Sequence, residues 1–172
     1  MIHIRKAVPS DAQGIAKVHV ESWKTTYVNI VPEDFLNNLS FDKRADYWFS
    51  AIRNGGVYVA EAENNQIVGC VSGGKERSGN YSNYNGEIYA IYILKEYQGA
   101  GIGKLLIEPI VKELTNQGVI TMLLLVLEDN PSKYFYEKLG AKKVDSIIVE
   151  IGGVHLNELV YVWDDISPLA VK

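Results

Sequence analysis

Tyr97-Gln98-Gly99-Ala100-Gly101-Ile102-Gly103-Lys104 is the stretch on which the reading of this chain turns. It follows an apolar run, Ile88 to Leu94, that reads as a strand. It opens a segment from Ile102 to Leu114 in which Ile102, Leu105, Leu106, Pro109, Ile110 and Leu114 fall on one side of a helix. A glycine-dense turn between strand and helix leaves several backbone N–H groups free at the positive end of the helix dipole, with no Cβ to hold a ligand off. Such a nest favours an anion, usually phosphate or pyrophosphate.

Spacing separates the phosphate sites that compete for this reading. The nucleoside-triphosphate loop needs a glycine where Gln98 stands, and a Ser or Thr where Leu105 follows Lys104. The dinucleotide fingerprint needs glycines at spacing two then three, whereas Gly99, Gly101 and Gly103 are spaced two and two. A tight turn with no ligand is the plain alternative. The spacing that fits is Gln-x-x-Gly-x-Gly, at Gln98, Gly101 and Gly103.

On these residues the chain resembles the GCN5-related N-acetyltransferases, in which that motif binds the pyrophosphate of acetyl-coenzyme A. A second block carries the resemblance further: Leu123-Leu124-Leu125-Val126-Leu127, then Asn130 and a short helix bearing Phe135-Tyr136-Glu137, then Gly140. The two blocks cover about residues 86 to 144. Ile2 to Ala7, with Ser10-Asp11 before a helix, is also similar to the family's first strand and helix cap. Ala141 departs from the pattern, since the family usually has an aromatic after the glycine.

The resemblance implies a mixed α/β fold, a mostly antiparallel sheet of six or seven strands with helices on both faces, as a single domain over residues 1–172. It implies acetyl-CoA as acyl donor and direct transfer, in a ternary complex, to a primary amine of a small molecule or peptide. The alternative from another class is a non-catalytic acetyl-CoA or CoA-binding sensor or assembly module, which needs the glycine turn but neither Tyr136 nor Glu87. Backbone donors from Gly99 through Ala100, Gly101, Ile102 and Gly103 to Lys104 would hold the pyrophosphate; the Lys104 side chain either adds charge or is merely solvated. Gln98 belongs to the motif or makes a structural hydrogen bond. Ile91, Tyr92 and Ile93 would run along the pantetheine arm, a backbone N–H near Ile91 polarising the thioester oxygen.

Tyr136 matches the family's tyrosine near the cofactor sulfur, and a phenol with pKa near 10 is a reasonable donor to a thiolate; without the motif it reads as a core aromatic. Asn130 matches the asparagine that contacts the cofactor arm and also reads as a helix N-cap. For the general base, Glu87 lies eleven residues before Gln98, the offset of the catalytic glutamate in the histone-acetylating branch. A solvated strand-start glutamate is the other reading. The second common position, on the strand before Asn130, holds Leu125 and Val126. His3 and His19 are spare candidates. Trp23, Tyr27, Phe35, Tyr47 and Trp48 crowd the region that lines the family's acceptor side, as acceptor contacts or as the core of small helices.

Composition agrees with one soluble globular domain: 172 residues, 47% hydrophobic and 22% charged. Seventeen Lys and Arg against 21 acidic residues leave −4, and no basic run or face appears, which argues against nucleic acid. The single cysteine, Cys70, sits in an apolar run and reads as a packed small hydrophobe. No secretory signal or membrane-length apolar run is present, so the expectation is a cytoplasmic protein with no membrane partner. No His/Cys cluster has metal spacing, so no metal is expected.

Along the chain, residues 2 to 7 read as a strand and Asp11 to about Thr25 as a helix capped by Ser10, with Ile15, Val18, His19 and Ser22 on one side. Two short helices follow, one after Pro32 and one from Asp42 to Ile52. Val57 to Glu63 and Gln66 to Gly74 read as a hairpin about Asn64-Asn65, and Lys75 to Asn85 as a surface loop that closes the acceptor cleft through Tyr81 and Tyr84. Pro109 should kink its helix. Ile120 to Leu127, a helix from Pro131 to Leu139, and strands Ala141 to Ile151 and Val154 to Trp163 about Gly152-Gly153 complete the chain. The closing strands carry more apolar surface than one sheet face needs, which points to a homodimer.

Overall fold

Wherever the sequence alternates or runs apolar for a few residues, the chain forms strands: β1 (His3–Lys6), β2 (Val57–Glu61), β3 (Ile67–Lys75), β4 (Gly86–Ile93), β5 (Met122–Leu127), β6 (Lys142–Ile151) and β7 (Val154–Trp163). The computed structural model describes residues 1–170. The seven strands make one sheet in the order β1-β2-β3-β4-β5-β7-β6. Every neighbouring pair is antiparallel except β4 and β5, which run parallel. Helices α1 (Ala12–Thr26), α2 (Glu33–Asn37), α3 (Phe41–Asn54), α4 (Ile102–Asn116) and α5 (Ser132–Lys138) provide the rest.

One irregularity in this sheet matters more than the others. Ser72 pairs with Ala90, but the next residue, Gly73, pairs with Ile88, so Tyr89 is an extra residue in β4. Such a bulge bends its strand and ends regular pairing. The parallel pairing of β4 with β5 covers only Gly86 to Ile88 against Met122 to Leu124. Past the bulge the two strands part.

The helix between them lies close to the sheet because glycines receive it. A Cβ on Gly69 would sit 3.3 Å from Leu106, one on Gly73 2.7 Å from Ile110, and one on Gly86 2.7 Å from Leu114. Leu106, Ile110 and Leu114 are spaced four apart on α4, so one ridge of that helix fits a groove without side chains. Pro109 does not end the helix, which is continuous from Ile102 to Asn116. The carbonyl that Pro109 leaves without its donor belongs to Leu105, whose side chain is exposed, so water can reach that side of the helix.

At the N-terminus the expected cap is replaced. Ser10 lies in a 3-10 turn, Pro9–Asp11, and makes no capping bond. Asp11 takes the N-cap position without a side-chain bond to the helix; its Oδ2 accepts from Val8 N at 2.8 Å across the 3-10 turn, and the Arg5 guanidinium holds both its oxygens at 2.8 and 2.9 Å. The α3 cap is Ser40, whose hydroxyl accepts from Lys43 N. Gly152 and Gly153, with φ of 61° and 85°, form the tight β6–β7 turn that their spacing predicts. Loop 76–85 docks on the sheet rather than lining the cleft, with Tyr81 Oη donating to Asp145, Tyr84 Oη donating to Asp164, and both rings packed on Leu123, Val160 and Val162. Leu159 to Trp163 are core, whereas β6 is an edge strand that exposes Val144 and Ile148.

Gly73→Ala should test the glycine groove. The added methyl meets Ile110 at 2.7 Å and the Glu87 carbonyl at 2.9 Å, and the latter is backbone that cannot yield cheaply. We expect a loss of about 1–3 kcal/mol, a melting temperature lower by several degrees, measured by thermal unfolding.

Candidate active site

Where β4 and β5 part, a cleft of about 640 Å³ opens. Ile91, Tyr92 and Ile93 line one wall and Leu125 to Leu127 the other, and the glycine turn and the end of α1 complete the lining. Regular pairing with β5 stops before Tyr89, so the flank of β4 that faces the cleft has no strand beside it. Backbone groups in that position seek partners in whatever occupies the gap.

Gly99 and Gly101 hold φ of 78° and 83°, a left-handed conformation that side chains disfavour, and a Cβ at either would meet nothing within 4 Å. Gly101 is the N-cap of α4 and supplies no side-chain cap. The N–H groups of Ile102, Gly103 and Lys104, in the first turn, therefore lack intrahelical partners. Gly103 has a different duty. Its Cβ would lie 2.9 Å from the Phe135 ring, so this glycine lets α5 pack against α4. Gln98 lines the cleft and its Nε2 donates to the Ile93 carbonyl at 3.0 Å, tying the turn to the end of β4. Ala100 and Lys104 are exposed and lie outside the cleft lining.

Tyr136 sits on α5, 6% exposed, with its ring edge-on to Phe135 and Trp163. It lines the cleft, and its hydroxyl has no hydrogen-bond partner among the described residues. Burial pushes the phenol well above its ordinary value, so it stays protonated. A buried thiol rises in the same way: Cys70 is pushed up to about 12 by burial. Asn130, buried at the end of β5, uses its amide twice. Oδ1 accepts from Ser132 N at 2.8 Å, and Nδ2 donates to Tyr27 Oη at 3.1 Å, joining the start of α5 to the end of α1.

Glu87 is 4% exposed at the head of β4 and outside the cleft lining. Arg77 engages both its oxygens: the backbone N–H donates to Oε1 at 3.1 Å, and Nη2 reaches Oε2 at 3.1 Å. The same guanidinium lies 3.9 Å from the Tyr89 ring centre. His19 is also spoken for. Its Nδ1 accepts from Trp48 Nε1 at 2.9 Å and its ring stacks on Tyr92 at 4.5 Å. Burial, with the Arg44 charge behind it, lowers His19 to about 4, so the imidazole is neutral.

The aromatic cluster divides. Trp23 and Tyr27 line the cleft with ring centres 4.5 Å apart, Phe35 stands behind Trp23, and Trp48 is fully buried core. One functional candidate was not foreseen from sequence: Glu158 of β7 lines the cleft, opposite Leu127 in the β5–β7 register. Its only sequence signal is a carboxylate beside an apolar run, which alternation alone assigns to solvent. Burial raises its pKa and the Glu87 charge adds to that. Among the described residues no group of three or more His, Cys, Asp or Glu could hold a metal, and no helix is long and apolar enough to cross a membrane.

Residues 20–141 match the acetyltransferase (GNAT) family. The chain is 40% identical over 169 residues to the uncharacterized N-acetyltransferase YuaI of Bacillus subtilis (strain 168), covering 98% of this chain and 96% of the relative. It is 38% identical over 86 residues to the [ribosomal protein bS18]-alanine N-acetyltransferase of Haemophilus influenzae, covering 48% of this chain and 53% of that enzyme. Among solved structures, PaiA N-acetyltransferase from Thermoplasma acidophilum in complex with coenzyme A superposes with a TM-score of 0.75 at 24% identity, over 94% of this chain and 98% of that one.

The His19 environment predicts a pH effect on stability. Its folded-state pKa of about 4 lies below the ordinary 6.5, so as pH falls the unfolded chain takes up the proton first. Stability is full above about 6.5 and is lost as pH drops toward 4, by roughly 3 kcal/mol from this group. Denaturant unfolding at pH 7 and pH 4.5 should give a smaller pH-dependent loss for His19→Asn than for the wild type.

Proposed function

This chain belongs to the acetyltransferase (GNAT) family, and from that premise we propose a mechanism in which acetyl passes directly from acetyl-CoA to a primary amine within a ternary complex. Acetyl-CoA is the donor, and the chain is an N-acetyltransferase. The observation that carries the mechanism is the parting of β4 from β5 beside a left-handed glycine turn. A pantetheine arm can pair with β4 along Ile91, Tyr92 and Ile93 as an added strand, and a backbone N–H near Ile91 would polarise the thioester oxygen as charge develops. The pyrophosphate would rest on the N–H groups at Gly99, Ala100, Gly101, Ile102, Gly103 and Lys104, with Gln98 fixing the turn and Asn130 the far side of the arm.

In this reading Tyr136 protonates the departing thiolate. Its hydroxyl makes no hydrogen bond among the described residues, and burial keeps the phenol protonated and able to donate when the thiolate departs. Glu87 lies outside the cleft lining, so in this reading it takes the amine proton through water. The acceptor is a small-molecule or peptide amine; likeness over part of the chain to an enzyme named for a ribosomal-protein alanine favours a peptide N-terminus as one candidate. We further propose a cytoplasmic homodimer formed along the exposed edge strand β6, which light scattering would check.

The test begins with free-thiol release from acetyl-CoA on a panel of polyamines, aminoglycosides, amino acids and peptide N-termini. Coenzyme A binding without release on any amine would instead make the chain a sensor or assembly module. Gly101→Ala should weaken coenzyme A binding in calorimetry while the protein stays folded, at about 1 kcal/mol of stability lost to the left-handed backbone. Tyr136→Phe should lower kcat by about 10²–10⁴-fold with coenzyme A affinity nearly unchanged. Equal losses in both would reduce Tyr136 to packing.

A further inference from the structure

Among the described residues that line the cleft, Glu158 is the one charged side chain; no Lys, Arg or His lines it. The carboxylate is half-buried and makes no ion pair or side-chain hydrogen bond within the described residues. Charged neighbours offer it no relief. Glu87 adds negative charge from β4, and the Arg77 guanidinium that pairs with Glu87 is spent there and on the Tyr89 ring. Tyr27 from α1 is close enough that the Glu158 charge raises its phenol, and its hydroxyl already receives Asn130. A carboxylate in that position is stabilised by a cation arriving from outside.

The surroundings limit what can carry the cation. Trp23 and Tyr27 present aromatic surface in the same cleft, Tyr27 within reach of the Glu158 charge, and Leu125, 37% exposed, presents apolar surface from β5. Aromatic faces favour an ammonium beside them. An acidic group on the ligand next to its amine would face Glu158 with no cation in the lining to receive it. We infer that Glu158 is an ammonium-recognition site, and that the acceptor is a primary amine cation on an apolar or aromatic body with no carboxylate beside the amine. This rests on the transferase reading of the cleft only for the word acceptor; the recognition itself is a matter of charge and shape. An α-amino acid is excluded as a good acceptor, whereas an amide-blocked amino acid or a simple alkyl or arylalkyl amine is admitted.

Calorimetry on the wild type and Glu158→Gln, each with and without saturating coenzyme A, would test the site. The probes are phenethylamine, phenylalanine amide, phenylalanine and phenethyl alcohol. The two carboxylate-free amines should bind the wild type at least about tenfold more tightly than phenylalanine or the alcohol, the scale of a hydrogen bond to a charged group. Glu158→Gln keeps the shape of the side chain and should erase that preference while leaving coenzyme A affinity and thermal stability in place. Equal amine binding by the two proteins, no amine binding by the wild type, or phenylalanine binding as well as its amide, would each overturn the inference. Thiol release is read separately. Amine binding that depends on Glu158 in a protein that never releases thiol would sink the transferase reading and leave the ammonium site standing.

Discussion

A strand that carries one residue more than its neighbour cannot keep step with both of the strands beside it. In β4 that residue is Tyr89, and the conflict is resolved on one side only: pairing with β3 resumes at Ala90, while pairing with β5 ends at Ile88. Everything the cleft does follows from this choice. It frees one flank of backbone, separates Ile91 from Leu125, and gives α5 room to bring Tyr136 to the gap. Neighbouring residues hold the bulge in place. The Tyr89 hydroxyl donates to the Lys75 carbonyl at 2.5 Å, Gly74 lacks the Cβ that would strike it, and Arg77 covers its ring. Glu87, itself buried, secures the half-exposed Arg77, so the ion pair helps fix the geometry of the strand as well as its charge.

The glycine turn and the glycine groove act together. Leu106, Ile110 and Leu114 set the depth of α4 against the sheet, and Gly103 sets its distance from Phe135. The N-terminus of that helix is thus placed by packing along its whole length, not by its cap. Free N–H groups at a fixed position, with no side chain to cover them, make a site that is ready before any ligand arrives.

Local features were legible in the sequence, and non-local ones were not. The turn at Gly99 to Gly103, the Gly152-Gly153 hairpin and the helix bearing Tyr136 each depend on adjacent residues, and each stands close to where pattern puts it. The N-cap position of α1 falls to Asp11 rather than Ser10 because Ser10 lies inside the 3-10 turn Pro9–Asp11, which the Asp11 carboxylate holds by accepting from Val8 N and from Arg5. Pro109 leaves its helix unbroken because Leu105 faces water. The bulge has no sequence signature of its own, being a mismatch between Ser72-Gly73 and residues far along the chain. Glu158 was hidden for a similar reason: only the pairing of Leu127 with Glu158 turns a carboxylate that alternation assigns to solvent into the cleft. Among the aromatics, composition located the acceptor wall but could not tell Trp23, which lines it, from Trp48, which is sealed in the core.

The tip of the β6–β7 hairpin is exposed, yet one side of it rests on another part of the chain. A Cβ on Gly152 would strike Phe35 at 2.9 Å, and Val149, Ile151 and Leu156 share an apolar cluster with Val31, Leu36 and Trp23. The strand that bears Glu158 is therefore keyed to the α1–α2 segment more than a hundred positions earlier in the chain. A chimaera that exchanged the hairpin alone would bring together two halves of a lock cut for different keys.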